Sequence, residues 1–484
     1  MLSLPLVSTR SVERVLTRRD WLRLGGLGSL GLLLAAPGSL SQAVARSTAP
    51  SAAKSSGFGR AKSVLLLYTG GGQSQLETWD PKPDAPAEIR GAFNATRSSV
   101  PGTLLCEHLS RVARLAHRYT IIRSVSHDDL DHGSATYLAL TGQFHLQKSG
   151  NPLPQLTDLP TYGAILKRLR PTDRFPYTAA HLNGPLQVPQ EPAPGQFAGL
   201  LGRSQEPLHL GDVTEGAAVL RSLEPQPELS GARLTARHSL LQAFERETGS
   251  LQRERPVLDM NTLYRQAYDL LDAPRCRQAF DLSQEPETVR DRYGRHRSGQ
   301  ACLLARRLVE AGVPWVTVLW NHNIRGQDKE PHDTDLYGWD THNDIFEALK
   351  DHLLPRFDLS FSTLLEDMEE RGLLDQTLVV CMGEFGRSPR VALERGFAGS
   401  TPGRKHWAAV YSIVMAGAGV APGGVVGASD RQAAYPQSSP FGPWDVAATM
   451  FHALGIDPAG HYQDLGGRPY PITIGKPILD LYRG

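Results

Sequence analysis

Five short stretches of the chain are apolar almost without interruption: Ser63 to Tyr68, Thr120 to Val125, Pro314 to Trp320, Leu378 to Met382 and Tyr411 to Gly417. Runs this short are strand-length, and continuous rather than alternating apolarity predicts strands covered on both faces, as in a parallel sheet. Between them the spacing changes to that of helices. Leu303, Leu304, Leu308 and Val309 share one face of a helix predicted over Gly299 to Ala311, which Gly312 closes. A longer amphipathic pattern from Ile345 to Arg371, with Leu349, Leu353, Phe357 and Leu364 inward, predicts a helix kinked or broken at Pro355 and stopped at Gly372. Helical patterns also cover Leu234 to Arg253 and Val257 to Leu271. Helix and strand alternate, so an α/β fold is expected. The Pro- and Gly-rich stretch from 152 to 254 is expected to hold inserted loops and a cap.

Composition narrows the function classes. The 484 residues carry 51 Lys plus Arg against 50 Asp plus Glu, which lacks the basic footprint of a nucleic-acid binder. The first 45 residues differ from the rest. Arg10, Arg14, Arg18, Arg19 and Arg23 lead into an apolar run from Leu24 to Ala36, and Ala43-Val44-Ala45 offers a cleavage site. Thr17-Arg18-Arg19-Asp20-Trp21-Leu22 resembles the twin-arginine export motif, with Trp21 at a position usually held by Phe. The apolar run is shorter than the roughly 20 residues of a membrane span, although an uncleaved anchor or lipid attachment stays open. A signal over 1–45, a linker over 46–60 and a folded body over 61–484 are therefore expected. The twin-arginine translocation machinery is the implied partner and the periplasm, or another exported location, the destination. No segment after residue 45 is apolar enough to span a bilayer in the mature protein. Cys106, Cys276, Cys302 and Cys381 form neither a zinc knuckle nor a legible disulfide pattern.

Candidate chemistry gathers where the strands end. Thr69-Gly70-Gly71-Gly72 follows the first strand and allows close backbone approach, although a tight turn would look the same. The second strand runs into Ser126-His127-Asp128-Asp129-Leu130-Asp131-His132-Gly133-Ser134, a density of imidazole and carboxylate that suits a transition metal. A capped helix start, with Asp131 or Ser134 bonding the first turn, is the plainer alternative. After Trp320 come Asn321, His322, Asn323, His332, Asp333 and Asp335, then Gly338-Trp339-Asp340-Thr341-His342 at the entrance of the long helix. A helix N-terminus disfavours protonated His342 and so favours a neutral, metal-binding imidazole, with Asp340 as a simple cap the alternative. Glu384 and Arg387 follow the Leu378 strand, where doubly wound sheets place ligands. Arg404-Lys405-His406 forms a cationic cluster suited to an anionic group, or else a surface basic patch.

These residues, with Gln73 to Pro83, Ala87 to Gly91, Gly383-Glu384-Phe385-Gly386-Arg387, His406-Trp407 and Gly427-Ala428-Ser429-Asp430, resemble the DUF1501 proteins, exported bacterial proteins of unassigned activity. Those are similar in turn to the alkaline phosphatase and sulfatase superfamily. The resemblance implies a three-layer sandwich with a mixed, mostly parallel central sheet, inserted loops or a cap, and metal ligands on strand-end loops. His132 to Gly142 resembles the sulfatase nucleophile helix. The departures are specific: His132 stands where a sulfatase has its modified Cys or Ser, Glu384-Phe385 replaces a strand-end Asp-His or Asp-Asn pair, and Gly70 replaces a His of many relatives.

The expected function is a metal-dependent hydrolase of anionic esters, sulfate or phosphate, borne by a small molecule or glycan. One or two divalent ions, zinc, manganese, calcium or magnesium, would be held by His127, Asp131 or His132, Asp340, His342 and Glu384. His132, Ser134, Arg387 and His406 would serve catalysis, with Ser134 or a metal-activated water attacking and Arg387 and His406 facing the anion. A non-catalytic periplasmic binding or assembly protein that retains the fold is the competing expectation.

Overall fold

The computed structural model describes residues 56–188, 190–214, 274–325 and 338–483, with scattered helical positions between 233 and 270. The expected signal over 1–45, most of the linker, His332, Asp333, Asp335 and most of the two helices between 234 and 271 lie outside the described residues.

The five apolar runs all become strands of one eight-stranded sheet. In chain order its members are β1 (Ser63–Tyr68), β2 (Tyr119–Val125), β3 (Ala179–Leu182), β4 (Leu208–Leu210), β5 (Trp315–Leu319), β6 (Thr377–Met382), β9 (Tyr411–Ala416) and β10 (Val425–Val426). A separate two-stranded ribbon, β7 (Gly386–Arg387) with β8 (His406–Trp407), lies between β6 and β9 in the chain. Across the sheet the order is β10-β2-β9-β6-β1-β5-β3-β4. Every pairing is parallel except those of β9, which runs antiparallel to both β2 and β6. This is a mixed, mostly parallel sheet.

Alternation along β1 shows why its run is unbroken. Leu65 and Leu67 join one apolar layer with Cys302, Leu308, Phe357 and Phe361, whereas Val64, Leu66 and Tyr68 join another with Leu140, Ile165, Val446 and Phe451. The first layer is built by α3 (Arg297–Glu310) and α4 (Leu354–Glu370), the second by α1 (His132–Thr141), α2 (Tyr162–Leu169) and α5 (Pro443–Ala453). Helices therefore cover both faces, giving the expected three layers. The helical stretch from Ile345 is indeed interrupted. It begins as Ile345–Ala348, widens through Leu349–Leu353 and resumes as α4 with Pro355 in its first turn, where a missing N–H costs nothing.

One expectation needs correction. Residues 152 to 254 were expected to be loops and a cap, but within them α2, β3 and β4 belong to the body. The two strands have only four and three residues and each carries a histidine, His181 and His209, so neither shows as an apolar run. All four cysteines are buried free thiols. Burial pushes Cys106 up to about 12 and Cys276 up to about 11.

Beneath the sheet, fully buried Arg306 of α3 ties the helical layer together, lying 2.9 Å from Glu285, from Glu310 and from Asp367. Burial opposes ionisation of Glu285 and Asp367, yet the guanidinium groups of Arg306, Arg307 and Arg371 prevail and lower both. Because these folded-state values lie below the unfolded ones, the stabilisation is present above about pH 4 and is lost as pH falls through the folded values. Arg306→Met leaves two buried carboxylates short of a partner and is expected to cost about 3 kcal/mol in urea unfolding at pH 7. The difference from the unaltered protein should shrink on acidification below the carboxylate range.

Candidate metal centre

The parallel strands all end on one edge, and the single antiparallel strand brings the Arg404–Trp407 segment there as well. β9 starts where β2 ends, with Tyr411 opposite Val125, so the residues preceding β9 meet those following β2. His406 lies in that approach and is pinned opposite Arg387 in the β7–β8 ribbon. Gly71, after β1, has φ 114°, and a Cβ there would stand 2.5 Å from the backbone nitrogen of Asp340. The glycine run thus lets the first loop pass directly against the Trp339-Asp340 backbone.

At this edge three imidazoles and one guanidinium converge on a single oxygen. Asp340 Oδ1 lies 3.2 Å from His132 Nε2, 3.1 Å from His342 Nε2 and 3.2 Å from His406 Nε2, and accepts a 2.7 Å hydrogen bond from Arg387 Nη2. Each ring is held from behind. His132 Nδ1 donates to Glu384 Oε1 at 2.7 Å, His406 Nδ1 to the Leu130 carbonyl at 2.6 Å and His342 Nδ1 to Glu394 Oε2 at 3.2 Å. Acceptors behind every Nδ1 assign the hydrogen to that nitrogen and leave Nε2 to face the centre. His342 Nε2 and His406 Nε2 are 2.8 Å apart, a spacing at which two lone pairs repel unless a cation lies between them. Outward Nδ1–H bonds to carboxylate or carbonyl are the usual support of metal-bound imidazole. Among the described residues, His132, Asp340 and His406 form the group whose ligand atoms all lie within 4.8 Å of one another.

The carboxylate organises the charges of this cluster. Burial disfavours ionised Asp340, but His132 and Arg387 hold it well below the usual carboxylate range. Burial likewise disfavours the His132 cation, yet Asp340 and Glu384 raise it to about 9. Burial and then the His132 cation push His406 down to about 3. A metal held at His132 Nε2 would displace the second proton of that ring.

The structure sorts the expected residues. His132, Asp340, His342 and His406 come together. Glu384 stands behind His132, its carboxylate fully buried and occupied by His132 Nδ1, by the Gly71 N–H at 2.7 Å and by the Tyr68 hydroxyl at 3.0 Å. His127 is no metal ligand here: its Nε2 donates to the Glu384 carbonyl at 2.6 Å and its Nδ1 accepts from the Asp129 N–H at 3.1 Å, so no lone pair remains. Asp131 precedes α1 partly exposed and stays outside the converging group. Nor does its side chain cap the helix; Asn151 Oδ1 and the Gly150 carbonyl take the N–H groups of Gly133 and Ser134 instead.

Two catalytic expectations also change. Ser134 is fully buried and donates to Asp129 Oδ1 at 2.7 Å, so it presents no accessible nucleophile. Arg387, also fully buried, donates to the carbonyls of Gly71, Gly72 and Arg404 besides Asp340, which makes it a clamp rather than a contact for substrate. The cationic cluster disperses as well: Arg404 is buried against Glu77, and Lys405 pairs with Glu394. Three participants escaped sequence reasoning. Tyr68 reads as the last residue of an apolar strand, and Glu394 and Phe397 occupy a loop with no pattern. Phe397 stacks on His342 at 3.8 Å between ring centroids, and Asn343 donates to the carbonyls of Glu394, Phe397 and Ala398, fixing that loop to the site.

No curated protein matches the sequence. Among solved structures, a phosphonate monoester hydrolase from Silicibacter pomeroyi is 14% identical over 87% of this chain and 76% of its own, with a TM-score of 0.34. The PsFucS1 sulfatase from Pseudoalteromonas sp. is 13% identical over 81% and 68%, with a TM-score of 0.34. Ps i-CgsB, solved with k-i-k-neocarrahexaose, is 12% identical over 82% and 72%, with a TM-score of 0.39. Likenesses this distant carry no residue roles to this chain. The family model described as "Protein of unknown function (DUF1501)" matches residues 61–482, the whole folded body, and the chain belongs to that family.

Proposed function

We propose that this protein is an exported hydrolase of sulfate or phosphate esters that works with a divalent metal at the Asp340 centre. The carrying observation is the 2.8 Å approach of His342 Nε2 to His406 Nε2 above Asp340, with every Nδ1 tied outward. His132, His342, His406 and Asp340 would hold the ion. Imidazole predominance favours zinc and disfavours calcium and magnesium, which prefer all-oxygen shells. Bound there, the metal supplies Lewis acidity and a water of lowered pKa.

The chain's own residues do the positioning. Arg387 and the Gly71 loop fix Asp340, Glu384 fixes the ring plane of His132, and Glu394 fixes that of His342. Arg387 already offsets the charge of Asp340, so a divalent cation leaves the centre with surplus positive charge, and this supports an anionic ester as substrate. His406, with 18% of its side chain exposed, is the most accessible of the three imidazoles, so its side of the centre is the one open to a substrate. With Ser134 engaged by Asp129, water is the attacking group in this reading. The exported location rests on the basic and apolar pattern of residues 1–45. Among the described residues no helix is long and apolar enough to cross a membrane.

Elemental analysis of purified protein should find near-stoichiometric zinc, and p-nitrophenyl phosphate or sulfate should be hydrolysed. His342→Ala and His406→Ala should abolish both properties. Full activity in both variants rejects the site, and stoichiometric metal without turnover selects the binding or assembly role. Glu394→Ala, which keeps all four ligands, should weaken metal binding about 10- to 100-fold in a chelator competition. Ser134→Ala should leave kcat unchanged while lowering stability by about 1–2 kcal/mol in urea unfolding.

A further inference from the structure

One aromatic side chain beside the Asp340 centre is fastened in place and yet left half open. Phe397 lies flat on His342, with ring centroids 3.8 Å apart and planes 8° from parallel, and the residue is still 44% exposed. Buried His342 covers one face of the phenyl ring, which leaves the outer face and the edge to water. The same imidazole touches His406, with ring centroids 4.5 Å apart. Phe397 is therefore one ring removed from the histidine on the open side of the centre.

The chain builds this placement. Gly396 and Gly399 bracket the phenylalanine with φ 108° and 110°, a region other residues rarely adopt, and a Cβ at Gly399 would stand 2.6 Å from the Cβ of Asn343. Fully buried Asn343 fastens the turn, its Nδ2 donating to the Glu394 carbonyl at 3.0 Å and the Ala398 carbonyl at 3.1 Å, its Oδ1 accepting from the Glu394 N–H at 2.8 Å. An apolar side chain on a turn tied down in this way stays at the surface, and a bound apolar group would take its outer face out of water. The neighbours decide which kind of group. Glu394 spends one carboxylate oxygen on His342 and the other on Lys405, and Asn343 spends both amide atoms on backbone. The side chains that hold the stack thus keep nothing free for the hydroxyl groups of a polar alcohol. An aromatic ring needs no such partner and gains from stacking.

On the reading that the Asp340 centre binds the anionic end of an ester, we propose that Phe397 is a specificity-determining residue that stacks on the alcohol portion, selecting esters of flat aromatic alcohols over aliphatic ones. Two pairs of uncleavable anions test this: phenylphosphonate with methylphosphonate, and benzenesulfonate with methanesulfonate, each titrated calorimetrically into the full chain loaded with zinc. The anionic group is the same within a pair, so the ratio of affinities reports the ring and cancels any general damage to the centre. The unaltered protein should bind the phenyl member of at least one pair about tenfold more tightly than its methyl counterpart. Phe397→Ala should bring that ratio close to one, and Phe397→Tyr should restore it. Methyl anions that bind with a ratio near one in the unaltered protein, or a full ratio kept in Phe397→Ala, overturn the aromatic subsite and leave the Asp340 reading standing. No binding of any of the four anions overturns both.

Discussion

The hydrogen bond from Arg387 to Asp340 is the interaction on which the rest of this edge depends. A guanidinium with no exposure to water must spend its donors inside the protein, and Arg387 spends them on three loop carbonyls and one carboxylate. Those acceptors come from the loop after β1, from the approach to β9 and from the Asp340 segment. A buried charge stripped of its partner is destabilising by about 3–5 kcal/mol, so the loops cannot separate cheaply and Asp340 is kept ionised where the imidazoles meet. Arg387 thus acts on the centre through the residue it holds.

Topology explains why these loops are available to be clamped. In a sheet with parallel strands, successive carboxyl ends share one edge, and each strand contributes the residues that follow it. β9 is the exception that completes the set. Running the other way, it contributes the residues before it, so His406 arrives at the same edge as His132 although 274 positions separate them in the chain. Glu384 reaches His132 from β6 in the same manner, and its second oxygen is taken by Tyr68 from β1.

How much of this could be read from sequence follows from what each residue does. The five central strands were legible because both faces are buried and their apolarity is unbroken. β3 and β4 were not, since each is short and has a histidine within it. Four of the site residues, His132, Asp340, His342 and His406, were legible from polar density at strand ends. Density does not distinguish a side chain facing the centre from one facing away. His127, only five positions from His132, turns its ring to the Glu384 carbonyl, and Ser134 turns its hydroxyl to Asp129. Arg387 looked like an anion contact because it follows a strand's carboxyl end, where doubly wound sheets place ligands; its burial is a property of the assembled loops. Glu394 had no signal, because its role depends on Asn343 fastening a distant loop across His342.

The four cysteines lie apart from all of this, each a reduced thiol enclosed in the apolar layers. A body closed by packing and buried ion pairs, with no covalent cross-link among its cysteines, does not wait on oxidation to reach its final state.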